Sequence, residues 1–321
     1  TLPRLPLEPL WFGGPGPDRM PDRHSGVTSP VSVNGRVFVT GLNVVIAFDA
    51  YTGRELWECP LEDAARMGAK SLGGNLVADN DSLYVVAWDE CVRIDQVTGK
   101  ILRRFRLPGL PDGPKRKTKT GPHGWPIKPE PHWGYLNVVG NLLLGSVTER
   151  SRANWSPKQK TTPIFALNKD DGTPVWTYAP GFRVNSLAIA QGDERLFLIS
   201  GAVASAGKPA RRGEKPPTIR KQTLKAIDTN TGTELWSTAF EVKPSKSTLH
   251  YAKGVVVAGA DAAFDAATGK KLWQSPHALK VTPIIHGNWI ISQPFAYDLR
   301  TGELRRSTDP VTGVSHPWTF P

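Results

Sequence analysis

Arg23, His24, Lys70, His132, Trp133, Arg183, Asn185 and Lys280 are the residues whose types and places suggest ligand chemistry. Several are cationic and none is an acid. Such a set suits an anionic ligand, a carboxylate, sulfate or phosphate held by charge-assisted hydrogen bonds. His24, His132 and Arg183 would also serve a lyase or hydrolase on acidic polysaccharide, where a cation neutralises the uronate while a base takes the neighbouring proton. A second group is more strongly charged. Lys115, Arg116, Lys117, Lys119, Arg211, Arg212 and Lys215 stand in Pro- and Gly-rich stretches, with His123, Trp125 and Trp155 in or beside such stretches. Cations interleaved with rings suit an acidic polysaccharide or an acidic protein surface. No nucleic-acid-binding motif is present, so that partner is not expected. Nor is there a Gly-x-Ser-x-Gly, P-loop or His-Glu-x-x-His that would announce another enzyme class. Cys59 and Cys91, without histidines at ligand spacing, do not make a zinc site. A disulfide between them and a pair of free, partly buried thiols are both open readings.

These residues must be positioned by whatever the rest of the chain builds, and one pattern dominates it. Ala-x-Asp-x-x-Thr-Gly-x-x-x-Trp is complete at 47–57, 226–236 and 263–273. Residues 166–176 keep it with Asn168 for Asp and Asp171 for Thr. Residues 93–99 and 296–302 keep the front half and lose the tryptophan. Before each copy lie apolar, β-rich runs such as RVFVTG and SLYVVA. In the Asp-x-x-Thr-Gly turn, the carboxylate folds onto backbone amides and Gly takes the positive φ. Each unit is therefore a meander of four strands, A to D, that cannot bury both faces alone. Radial packing of such sheets solves the problem, so the expected fold is all-β, a β-propeller with six recognisable repeats.

The pattern resembles the tryptophan-docking motif of the quinoprotein repeat, shared by propellers that bind pyrroloquinoline quinone (PQQ) and by their non-enzymatic, BamB-like relatives. The resemblance implies that Trp57, Trp176, Trp236 and Trp273 dock against Gly99, Gly232, Gly269 and Gly302 of the neighbouring repeats. It also raises a PQQ-dependent dehydrogenase as an alternative function. That family's pocket typically has adjacent cysteines, a stacking tryptophan, calcium held by Glu, Asn and Asp, and a catalytic Asp. Here Cys59 and Cys91 are far apart, and Asp49, Asp95, Asp228, Asp265 and Asp298 are accounted for as turn residues. PQQ and calcium are therefore not expected, and the leading reading is a non-catalytic binding or scaffold module.

The repeats divide the chain into an N-terminal extension or ring-closing segment (1–26), a propeller region (27–306), and a tail or the start of a further blade (307–321). Six repeats fit a six-bladed ring or part of a seven- or eight-bladed one. The formal charge of +11 is concentrated in three insertions: 113–120 carries +4, 149–160 carries +3 and 207–221 carries +5, which leaves the remainder close to neutral. The first insertion joins strand D of one repeat to strand A of the next, and the other two join strands B and C. In an up-and-down meander these connections share one face, so a basic crown over adjacent blades is expected, above a funnel lined by the residues that enter each A strand. No run of eighteen apolar residues occurs, so no transmembrane segment is expected. The opening Thr1 reads as a processed N-terminus, and the chain is expected to be exported, periplasmic or at the cell surface.

Overall fold

A computed structural model describes residues 28–66, 73–110, 131–149, 160–181, 184–205, 218–240, 248–258, 262–275, 283–292 and 295–308. It also describes three short strands, Lys119–Thr120, Pro126–Ile127 and Ser315–Pro317. Among the described residues there are strands and turns and no helix. Six antiparallel four-stranded meanders follow one another, the blades of a β-propeller. The chain forms two compact units, Thr1–Thr177 with blades 1 to 3 except the last residue of blade 3, and Tyr178–Pro321 with that residue and blades 4 to 6.

In the first unit, strands A to D of blade 1 are Val31–Val33, Arg36–Gly41, Val44–Asp49 and Glu55–Pro60. Those of blade 2 are Leu76–Ala78, Ser82–Ala87, Glu90–Asp95 and Ile101–Arg106. Those of blade 3 are His132–Val139, Leu142–Glu149, Lys160–Asn168 and Pro174–Tyr178. The short strands Lys119–Thr120 and Pro126–Ile127 pair as a hairpin between blades 2 and 3. In the second unit, blade 4 comprises Val184–Gly192, Arg195–Ser205, Thr218–Asp228 and Glu234–Phe240. Blade 5 comprises Leu249–Ala252, Val255–Ala258, Ala262–Asp265 and Lys271–Gln274. Blade 6 comprises Ile284–His286, Trp289–Ser292, Phe295–Asp298 and Leu304–Thr308. Ser315–Pro317 adds a fifth strand to the outer edge of blade 6, pairing Thr308 with Ser315. That covers backbone groups which an edge strand would otherwise leave open.

The repeated motif has the same geometry in each copy. Asp49 Oδ1 accepts the amides of Tyr51 (3.0 Å) and Thr52 (2.8 Å) and the Thr52 hydroxyl (2.8 Å). Asp95, Asp228, Asp265 and Asp298 repeat this cap in their own turns. In blade 3 Asn168 Oδ1 does the same for Asp170 (2.8 Å), with a longer bond to Asp171 (3.4 Å). A bulge follows at one fixed place, between Ala47 and Phe48, Arg93 and Ile94, Ala226 and Ile227, and Ala263 and Phe264. One extra residue there turns strand D so that its aromatic side chain leaves the blade.

Those aromatic side chains land on the next blade. A Cβ built on Gly99 would lie 2.7 Å from Trp57 Cδ2, on Gly269 2.5 Å from Trp236 Cε3, and on Gly302 2.5 Å from Trp273 Cγ. Each indole N–H donates to a carbonyl of the same turn: Trp57 to Gln96 (2.9 Å), Trp236 to Ala266 (3.1 Å) and Trp273 to Leu299 (3.0 Å). Trp57, Trp176 and Trp273 are buried, while Trp236 is half-buried. Between blades 2 and 3 the pattern changes. Arg103 holds the tryptophan position, and Phe105, two residues on and on the same face of the strand, sits 3.1 Å from a Cβ built on Gly172.

Apolar cores fill the spaces between blades. Phe38, Val45 and Trp57 meet Leu83, Val85 and Ile94. Cys91, Phe105 and Tyr84 meet Trp133, Leu143 and Phe165. In the second unit Phe197 and Leu224 meet Val256 and Phe264, and Val257 and Trp273 meet Ile290 and Tyr297. A middle strand is covered on both faces, which is why SLYVVA at 82–87 is buried throughout instead of alternating.

Candidate functional site

Of the residues expected to line a funnel, His132 and Trp133 are described, and neither opens to solvent. Trp133 is 0% exposed. Its indole N–H donates to the Tyr135 carbonyl (2.9 Å), and its ring meets the Phe165 ring edge-on at 5.0 Å. Trp133 thus belongs to the core between blades 2 and 3. His132 is buried too, with its ring stacked on Trp88 at 4.5 Å. Asn185 lies in strand A of blade 4. Arg23, His24, Lys70, Arg183 and Lys280 lie outside the described residues.

Around His132 the structure gathers groups that no motif announced. Trp88 occupies the B–C turn of blade 2 with φ 66°, a left-handed conformation costly for a bulky residue. Its carbonyl accepts the Trp133 amide (2.8 Å), which ties this turn to blade 3. Arg66, in the connection from blade 1 to blade 2, is buried beneath. Its guanidinium donates to the carbonyls of Gly134 (2.7 Å), Trp133 (2.8 Å) and Gly74 (3.3 Å). Burial pulls its pKa down to about 10, against a smaller upward pull from Cys91. Guanidinium remains charged at neutral pH and ties strand A of blade 3 to the segment that leads into strand A of blade 2. Asn75 completes the lining, donating to the carbonyls of Ala64 and Val86 (both 2.8 Å). A loop arginine surrounded by carbonyls leaves no periodic trace in sequence, and Trp88 reads as an ordinary strand-end aromatic.

Several described charges join neighbouring blades. Arg93 pairs with Asp170 (2.9 Å) and Lys169 with Asp79 (3.0 Å), both across the junction of blades 2 and 3. Arg103 adds a bond to the Asp171 carbonyl (3.1 Å). Burial raises the Asp79 carboxyl, but the hydrogen bonds from Lys169, Ser82 and Asp81 hold it net below the ordinary carboxylate range. In the second unit Lys225 donates to Glu234 (2.9 Å) and to the Tyr178 hydroxyl (3.1 Å), which itself donates to Glu234. Cys59 and Cys91 are free and buried. Burial pushes both thiols up, so both are protonated and unreactive at neutral pH. Among the described residues no group of three His, Cys, Asp or Glu could hold a metal ion.

The three basic insertions fall at connections. The first lies between strand D of blade 2 and strand A of blade 3, and Lys119 stands in the hairpin there. The second lies between Glu149 and Lys160, the ends of strands B and C of blade 3. The third is shorter than its sequence suggested: residues 218–221 are strand, paired with 202–205 in a hairpin of eleven residue pairs. Lys115, Arg116, Lys117, Arg211, Arg212 and Lys215 lie outside the described residues.

A family model described as "Outer membrane protein assembly factor BamB" matches residues 10–204 and 160–313. Among solved structures, BamB from Moraxella catarrhalis is 18% identical, with 85% of this chain and 70% of that chain covered and a TM-score of 0.48. A europium-containing methanol dehydrogenase is 17% identical, covering 86% and 67%, with a TM-score of 0.49. The computationally designed Ika8 protein is 15% identical, covering 94% and 90%, with a TM-score of 0.45. No curated protein matches the chain.

Proposed function

We propose, from the premise that this chain belongs to the PQQ-like-repeat family of the outer membrane assembly factor BamB, that it is a non-catalytic binding propeller for an acidic partner. The observation that carries the reading is the placement of the basic insertions. In the first unit they fall at a D–A and a B–C connection, and in the second at a B–C connection. In a meander such connections leave the sheet at the end opposite the capped Asp turns. Lys115, Arg116, Lys117, Lys119, Arg211, Arg212 and Lys215 supply the charge, and Arg23, His24, Lys70, Arg183, Asn185 and Lys280 extend it toward the strand A entries. An acidic protein surface or an acidic polysaccharide is the matching class. The family description supports work outside the cytoplasm. Among the described residues no helix is long and apolar enough to cross a membrane.

The described side chains do not fit a quinone–calcium centre. Cys59 belongs to the core between blades 1 and 2 and Cys91 to that between blades 2 and 3, so they offer no joint stacking surface. The motif carboxylates are each capped by their own turn, so these carboxylates do not gather into a cluster of oxygens for a hard cation.

The test is retention on immobilised heparin. Replacing Lys115, Arg116, Lys117, Arg211 and Arg212 with Gln should abolish retention at physiological salt, where the Debye length is about 8 Å. The melting temperature should stay at the parent's value if these charges serve binding and not folding. Elution of the variant at the parent's salt concentration would overturn the proposal.

A further inference from the structure

In the second unit a cleft of about 560 Å³ opens beside the A–B turns of blades 5 and 6. Its volume lies within the range of roughly 300–1,000 Å³ for small-molecule sites. The floor is one face of blade 6. Ile291 pairs with Ala296, and His286 pairs with Trp289 two residues along, so all four side chains share that face. The opposite face of the same strands, Ile290 and Tyr297, packs on blade 5 and fixes the floor in place. The rim carries Lys253, His286 and Asn288, all exposed.

Two features separate this cleft from a mere packing gap. The first is that Lys253 is held in place. It occupies the A–B turn of blade 5 with φ 47°, and its Nζ donates to Asn288 Oδ1 at 2.8 Å. One of the three ammonium donors is used there, and two remain for a ligand. An exposed lysine is ordinarily mobile; anchoring removes part of the entropy that binding would otherwise cost. The second is composition. An indole and two aliphatic side chains lie beneath an ammonium, an imidazole and a carboxamide, and no carboxylate is among the described lining residues. Asp298 pairs with Trp289 on the same face, but its Oδ1 accepts the amides of Arg300 and Thr301 in its own turn, so the charge offered at the rim is the Lys253 ammonium. A purely apolar ligand would leave the rim donors unmatched.

We infer that this cleft binds a hexuronate, a pyranose ring carrying a carboxylate. The ring's C–H face lies on Trp289, the carboxylate meets the Lys253 ammonium, and His286 with the Asn288 amide pairs the hydroxyls. The residues of this site are different from those of the basic insertions, and the inference does not depend on the proposed function.

Isothermal titration of the full chain with digalacturonic acid tests it, with neutral digalactose and tetraglutamate as comparison probes. Digalacturonic acid gives saturable heat, and digalactose binds about tenfold more weakly, a difference of about 1.4 kcal/mol. Lys253→Asn keeps a residue that tolerates the left-handed turn and brings the two sugars to equal, weak binding. Trp289→Phe weakens both sugars together. The five-fold variant of the basic insertions binds digalacturonic acid like the parent, so this site and the proposed binding face can fail separately. Absence of saturable heat with digalacturonic acid, equal binding of the neutral disaccharide, unchanged binding by Lys253→Asn, or tighter binding of tetraglutamate each overturns the assignment.

Discussion

A single missing methyl group decides each tryptophan contact. At Gly269 and Gly302 a Cβ would stand 2.5 Å from the facing indole, closer than real contacts allow, and both residues have φ near 70°. Gly269→Ala or Gly302→Ala should therefore cost about 2–4 kcal/mol, combining left-handed strain with overpacking. Gly140 separates the two terms: it has φ 55° but open space around it, so Gly140→Ala should cost only about 1–2 kcal/mol in urea unfolding. Equal losses at all three sites would show that the indoles are not seated on the glycines. Trp273→Ala, which empties a buried seat and strands the Leu299 carbonyl, should cost about 3–5 kcal/mol. The turn carboxylates carry a separate signature. Hydrogen bonds from the threonines and amides of their own turns hold Asp95, Asp228, Asp265 and Asp298 below the ordinary carboxylate range. A depressed folded pKa gives stability that is present above the unfolded value, about 3.9, and is lost as pH falls through the folded value. Melting temperature should thus hold from neutral pH to about 5 and fall below about 4. Asp95→Asn, which keeps the acceptor as Asn168 does naturally, should reduce that fall; an acid limb as steep as the parent's would exclude Asp95 as a contributor.

Blades were legible because their elements repeat, and the junction that breaks the repeat was not. Strand B and C runs, the capped turn and the D-strand aromatic recur at fixed offsets, so six meanders and their order follow from pattern alone. Between blades 2 and 3 the offset fails. Phe105 reaches Gly172 from two residues beyond the motif position, while Arg93, Arg103, Lys169 and Asp79 supply polar ties. Nothing local in Ile101–Arg106 marks Phe105 for this role, because its partner lies in another blade. Arg66 escapes for the same reason: its three carbonyls come from two segments far apart in sequence. Trp133, at the entry of its strand, lies in an interblade core, part of which comes from another blade. Phe105 is 3% exposed, so Phe105→Ala should cost about 3–5 kcal/mol in denaturant unfolding. A loss under about 1 kcal/mol would leave the polar ties as the main joint of this junction.

Across the whole molecule, charge and chemistry are distributed differently. The formal charge of +11 is concentrated in insertions between strands, while the described acids and bases mostly close turns and join blades. A scaffold of that kind leaves its loops free to set the partner without altering the packing that holds the blades. Its two cysteines, Cys59 and Cys91, are not adjacent in sequence, and a thermal measurement can test the quinone-enzyme alternative directly. A ligand that binds only the folded state adds RT ln(1 + [L]/Kd), about 2.7 kcal/mol at a hundred times Kd. In a chain of this size each kcal/mol moves the midpoint by a few degrees. Saturating PQQ with calcium should therefore leave the melting temperature unchanged and the quinone spectrum unshifted. A rise of several degrees, with stoichiometric uptake after desalting, would mean that the strand entries assemble a cofactor pocket from several blades. The family's dehydrogenase chemistry would then replace the proposed binding function.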